Sequence, residues 1–173
     1  MGLEHEIEHY IHRHDWDIDY DDGVVKSIWG TEWKVSIERN DDYWALTGIT
    51  YPVEKEIVLR ESADLRIATT LYESKSEDMA YTLAHELGHA DTWPISVGLP
   101  YIILGLGIAA AVKSKSGKPI LGSLAGVVAS KVILDELLAE TAATVFHDTP
   151  FLKGLYLCAP DFIGAWNELT HMF

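Results

Sequence analysis

The chain has 173 residues and a mass of 19.3 kDa, the size of one ordinary domain built around a single core. Apolar residues make up 48% and charged residues 23%, which excludes a disordered or fibrous chain; 27 acidic against 13 basic residues leave a net charge of −14, which excludes nucleic acid as a partner because phosphate contacts need clustered Lys and Arg. The single cysteine, Cys158, excludes an internal disulfide and a cysteine-based zinc site, and it suits a reducing compartment.

The opening Met1-Gly2-Leu3-Glu4-His5-Glu6 has neither the basic nor the apolar region of a secretory signal, and Glu6 stands where myristoylation needs Ser or Thr. Neither modification is expected. Leu3 to Arg13 reads as a short helix with Leu3, Ile7, Tyr10 and Ile11 along one side. His5, His9, His12 and His14 are read as its solvated face rather than as a metal site. Asp15 to Asp22 is a charged connection closed by the turn signal Asp21-Asp22-Gly23. The short β-branched or aromatic runs Val24–Trp29, Trp33–Ile37, Trp44–Tyr51 and Glu56–Leu59 predict a small, mainly antiparallel sheet. Asp64–Leu71 fits either a turn of helix or a further strand.

Ser74-Lys75-Ser76-Glu77 is a capping box. It predicts a helix to about Thr92, stopped by Trp93-Pro94, with Met79, Leu83, Leu87 and Ala90 as its buried stripe. Trp93–Val112 then carries no charge; a lysine loop (residues 113–118) separates it from a second apolar segment, Pro119–Leu134, interrupted by Lys131. Asp135–His147 continues as helix, ending near Asp148-Thr149-Pro150, and Phe162–His171 is a final helix. There is no repeat and no low-complexity linker, so residues 1–173 are read as a single α+β domain with an apolar helical insert at 93–134.

The chemistry is concentrated in His85-Glu86-Leu87-Gly88-His89, an H-E-x-x-H inside a predicted helix. Residues four apart lie one above the other on a helix face, so His85 and His89 can offer two imidazole nitrogens to one Zn²⁺. Glu86, beside the first ligand, can accept a proton from a water that zinc acidifies. Asp91 is a departure, since the position two beyond the second His is usually apolar. A third ligand is required. A metzincin would need Gly at Thr92 and His at Ile95, so that class is excluded. A downstream glutamate remains, and Asp135-Glu136-Leu137-Leu138-Ala139-Glu140 offers Glu136 and Glu140 on one face, with small Ala139 allowing close approach to the first helix.

Together these two motifs resemble the gluzincin metallopeptidases, which pair H-E-x-x-H with a later E-x-x-A-D or E-x-x-A-N. The arrangement is similar to the minigluzincins, the HtpX-like and CAAX-protease-like enzymes and the ImmA-like antirepressor proteases, over roughly residues 30–147. The resemblance implies a gluzincin-like core: Zn²⁺ held by His85, His89 and Glu136, Glu86 as general base, and Glu140 orienting the first His. Glu140 stands where the family usually has Asp or Asn. It also implies an edge strand that binds substrate in extended form; Trp44–Ile49 is the candidate, with Trp44, Ala45 and Leu46 at its start. For oxyanion stabilisation the residues considered are His147 and Tyr156, with His171 behind them. His147 shares a helix face with Glu136 but lies about 16 Å along it, so it could serve only if the helix breaks.

The expected activity is therefore zinc-dependent endopeptidase action on a protein or peptide. The alternative is a zinc-stabilised binding module with little turnover, and a third reading makes the chain a membrane-anchored interaction protein in which the motif is incidental. The insert has the length of a bilayer span in Trp93–Val112. Its second half is short, and lysines at its tip oppose entry from the cytosol. Membrane association or self-association through residues 93–134 is expected; HtpX-like enzymes carry hydrophobic segments at this point, which tilts the balance toward the membrane.

Overall fold

The computed structural model describes residues 2–40, 48–62 and 74–150. The expected Asp64–Leu71 and Phe162–His171 elements, and Trp44, Ala45, Leu46, Tyr156, Cys158 and His171, lie outside the described residues. Helix α1 spans Leu3–Arg13, with Glu4 and Glu6 in its first turn and Arg13 in its last, matching the helix dipole. Ile7 and Ile11 are buried and the four histidines face solvent. The connection that follows is not simply charged: Trp16, Ile18 and Tyr20 alternate inward between exposed aspartates.

Among the described residues five strands follow: β1 (Tyr20–Asp21), β2 (Val24–Lys26), β3 (Glu32–Asn40), β4 (Gly48–Tyr51) and β5 (Glu56–Ser62), in spatial order β1-β2-β3-β5-β4. The sheet is mixed: three of its four described pairings are antiparallel, in line with the mainly antiparallel sheet expected, and one is parallel. β4 and β5 form an antiparallel hairpin, but β5 lies inside it and pairs parallel with β3, with Val35 opposite Ile57 and Ile37 opposite Leu59. Among the described residues β4 is thereby left at the edge. The expected Val24–Trp29 strand stops at Lys26, where the chain turns. The inner face of Val25, Trp33, Val35, Ile57 and Leu59 packs with Ile7, Ile11, Leu83 and Leu87 into one core.

Helix α2 starts where the capping box predicts, the Ser74 hydroxyl accepting from the Glu77 amide at 3.2 Å. Met79, Leu83, Leu87 and Ala90 are all buried. It does not stop at Trp93-Pro94. It runs 40 residues, Lys75–Ser114, through Pro94 and Pro100. Each interior proline costs about 3 kcal/mol, and packing against the following helices along its length outweighs that cost. Lys115, in a left-handed conformation, ends the helix by returning its amide to the Ala111 carbonyl.

Helix α3 (Lys118–Ala129) folds back along α2. Gly107 sits against Ser123 and Gly126 against Ile103, a pairing that runs antiparallel and brings the two backbones close. A π-helical turn, Ser130–Leu134, joins α3 to α4 (Asp135–His147). Such turns reset the rotational phase of the helix beyond them. α4 crosses α2 at Gly88, where a Cβ would stand 2.0 Å from the Ala139 carbonyl oxygen. Only glycine permits that approach.

Candidate metal centre

The crossing of α2 and α4 brings the side chains of His85, His89 and Glu136 together. Glu136 Oε2 lies 3.1 Å from His85 Nε2 and 3.5 Å from His89 Nε2, and the three donor atoms all fall within 4.8 Å of one another. His85 is buried, whereas His89 and Glu136 are half-buried, so the cluster has an open side.

The far nitrogen of each imidazole faces a second carboxylate. His85 Nδ1 lies 3.2 Å from Glu140 Oε2, and His89 Nδ1 lies 3.8 Å from Asp135 Oδ1. Asp135 is itself held by the Ser96 hydroxyl. Carboxylates in this position fix ring orientation and raise imidazole basicity. Burial alone would depress the His89 pKa, but the Asp135 and Glu136 carboxylates outweigh it and push it up to about 9. Burial would raise the Glu136 pKa, yet the two imidazoles hold it well below the usual carboxylate range. The cluster is thus a concentration of donor atoms in anionic surroundings, which is what a cation needs.

The Glu86 side chain meets the edge of the sheet. Its carboxylate Oε2 accepts from the Thr50 hydroxyl at 2.7 Å, and the same hydroxyl lies 2.9 Å from the Glu86 carbonyl oxygen. β4 can come this close because Gly48 has no side chain: a Cβ there would lie 2.7 Å from Glu86 Cγ and from Thr82 Cγ2. Of the expected substrate strand Trp44–Ile49, only Gly48 and Ile49 are described, and they begin β4, whose Thr50 bonds Glu86.

His147 is not brought to the cluster. α4 is unbroken from Asp135 to His147, so Glu136 and His147 sit at opposite ends of it. Its ring is buried between two acceptors, Nδ1 at 2.7 Å from the Asp17 carbonyl oxygen and Nε2 at 2.7 Å from Asp91 Oδ2. Burial would lower its pKa, but Asp91 and then the Asp17 carbonyl outweigh it and raise it. The same pair accounts for Asp91, the departure noted in the helix motif. Its other oxygen accepts from the Ile28 amide at 2.8 Å, and its carbonyl accepts from the Trp29 indole at 2.8 Å. Asp91 ties the β2–β3 turn and the end of α4 to α2.

Sequence reasoning missed Asp135, Thr50 and Gly48. Gly48 alone carried a signal, because glycine within a strand marks close backbone approach. No protein-family model matches the chain, and no curated protein or solved structure matches it.

Proposed function

We propose that the chain is a zinc-dependent endopeptidase of gluzincin type. His85, His89 and Glu136 hold the metal, and Glu86 acts as general base. The observation that carries this reading is the convergence of Glu136 Oε2 on both Nε2 atoms at 3.1 and 3.5 Å. Ligands bound tetrahedrally at 2.0–2.1 Å stand about 3.3 Å from one another; both contacts to Glu136 match that spacing, and all three donor atoms lie within 4.8 Å. The donor set, two neutral-capable imidazoles and one carboxylate with an open side, is the catalytic type, which keeps a position for water.

Zinc in this position supplies Lewis-acid polarisation and lowers the pKa of a water to about 7. The chain's own residues do the rest. Glu86 accepts a proton from the attacking water and delivers it to the leaving amine. Thr50 fixes the Glu86 carboxylate by its hydroxyl. Glu140 and Asp135 hold the two imidazoles with Nε2 toward the ligand site. Among the described residues no strand pairs with the outer edge of β4, so its backbone N–H and C=O groups could receive an extended peptide as a further strand above Glu86.

The same reading seats the α2–α3 hairpin in a bilayer. The uncharged run Trp93–Val112 is about 30 Å long at 1.5 Å per residue, the thickness of a hydrocarbon core. Only 11% of the most apolar stretch of α2 is buried against the rest of the chain, which supports a place in lipid over one in a protein core. Tyr101, Ile102 and Leu106 on α2, and Leu121 and Leu124 on α3, are exposed on the outer faces of both limbs.

Metal analysis with activity assays tests the enzymatic reading. Purified protein is expected to carry one zinc per chain and to cleave an unstructured protein substrate. Glu86→Gln should abolish cleavage with zinc retained, and Glu136→Ala should lose more zinc than Glu140→Ala. Zinc without turnover in the parent chain would favour the binding-module reading; full zinc in His85→Ala would overturn the site.

A further inference from the structure

The β2–β3 connection is an unusual turn. The Gly30 amide bonds the Ser27 carbonyl at 2.8 Å, and the Ser27 amide bonds the Thr31 carbonyl at 3.0 Å. Gly30 takes the positive φ of 71° that closes it. Turn tips normally carry Gly, Asn, Asp or Ser, whose side chains serve the backbone. Here the two central residues are Ile28 and Trp29, 41% and 63% exposed. No residue from Ser27 to Thr31 is charged.

The turn is rigidly placed. Asp91 holds it twice, through the Ile28 amide and the Trp29 indole, both at 2.8 Å. Asp91 is two residues before Trp93, about 3 Å along the helix axis. Trp93 and Ile95 are themselves exposed, at the point where the uncharged run begins. Two tryptophans from separate elements are thus level with the base of the hairpin. At the other end of that run stand Lys113, Lys115 and Lys118. An aromatic band at one end and charge at the other, a hydrocarbon thickness apart, is the pattern of two membrane interfaces.

We infer that the Ile28–Trp29 turn is a second, non-helical lipid contact, inserted at head-group depth beside Trp93. This rests on the bilayer reading of the hairpin and goes beyond it. The occupant is lipid rather than a protein groove, because Asp91 fixes the turn beside Trp93, where the uncharged run begins, and Ile95, Tyr101, Ile102 and Leu106 of that run are exposed as well. Indole rings favour this depth, with an apolar body toward the chains and a polar edge toward water. The Trp29 N–H is already satisfied by the Asp91 carbonyl, so the exposed remainder of the ring enters lipid with no unpaired donor. The band also fixes the height of the candidate metal centre, because His89 is one helical turn before Trp93, about 6 Å along the axis.

Depth-dependent quenching tests this. The full chain carrying Cys158→Ser and one new cysteine, at Ile28, Ile102 or Glu6, is labelled with an environment-sensitive fluorophore. Each variant is reconstituted into phosphatidylcholine–phosphatidylglycerol vesicles whose acyl chains are brominated near the head group or near the methyl end. The Ile28→Cys label is expected to be quenched at least two-fold more by shallow than by deep bromine. Ile102→Cys should show the reverse, and Glu6→Cys neither. The same label at Trp29→Cys gives an independent reading. If Ile102→Cys is quenched and both turn positions are not, the hairpin is in lipid and the inference about the turn is wrong. If no position is quenched, the bilayer reading falls and takes the inference with it. Turn positions shielded from aqueous iodide yet untouched by bromine would mean contact with a second copy, which also overturns it.

Discussion

Gly88 and Asp78 lie on α2 and face opposite demands. Gly88 allows the Ala139 backbone to touch α2, and the meeting of Glu136 with both imidazoles depends on that contact. Gly88→Ala forces the helices apart, an overpacking cost of about 1–3 kcal/mol. A lower melting temperature and a reduced zinc content are both expected; a variant with parental stability would show that the crossing has slack. Asp78 is a buried carboxyl whose Oδ1 has no hydrogen-bond partner. Burial, then the Glu77 charge, lifts its pKa from 3.8 to about 6. A folded-state pKa above the unfolded one contributes stability that is complete below about pH 4 and lost as pH rises through 6. Asp78→Asn should therefore stabilise the chain by about 1–2 kcal/mol at pH 8, with little effect at pH 4, on the scale of 1.36 kcal/mol per pKa unit. Denaturant melts at the two pH values check it.

The elements most readable in the sequence are those set by local pattern. Ser74 and Glu77 announce the start of α2, and His85, Glu86 and His89 are legible because their spacing is itself the helix period. The alternation of Trp16, Ile18 and Tyr20 was readable too, but the intervening aspartates mask it as a charged connection. What could not be read depends on distant partners. Nothing local to Glu56–Ser62 says that this strand enters between β3 and β4, and nothing local to Pro94 says that α2 will continue through it. The same holds for the site: Glu136 and Glu140 share a face in the sequence, but which oxygen meets which nitrogen follows from the π-turn and the Gly88 crossing. Thr50 reaches Glu86 only because the sheet order makes β4 an edge. Thr50→Val should lower kcat at least ten-fold with zinc content unchanged, and Thr50→Ser should restore most of it, as expected for a hydroxyl that positions the base. Equal losses in both variants would assign Thr50 to strand packing alone.

At the scale of the whole molecule, charge and apolar surface are separated along the chain. The acidic residues concentrate before α2, and the exposed apolar surface gathers on the α2–α3 hairpin. The candidate metal centre lies where these two regions join. His89 precedes the hairpin and Glu136 follows it, so every residue of the hairpin is enclosed between two ligands. A cation bound there is a reversible cross-link that closes this loop, and it acts on the chain as a covalent staple would, by forbidding states in which the limbs part. The staple is at the open end, whereas Gly107 and Gly126 zip the limbs further along. Chelation should therefore fray the base first. Hydrogen exchange of the α4 amides is expected to accelerate at least ten-fold on removal of the metal, with the β3 and β5 amides changing much less. Uniform acceleration would mean that the metal supports the whole fold; no change would mean that the crossing holds itself shut. If α4 frays first, the residence time of the bound ion would set how long the centre stays assembled.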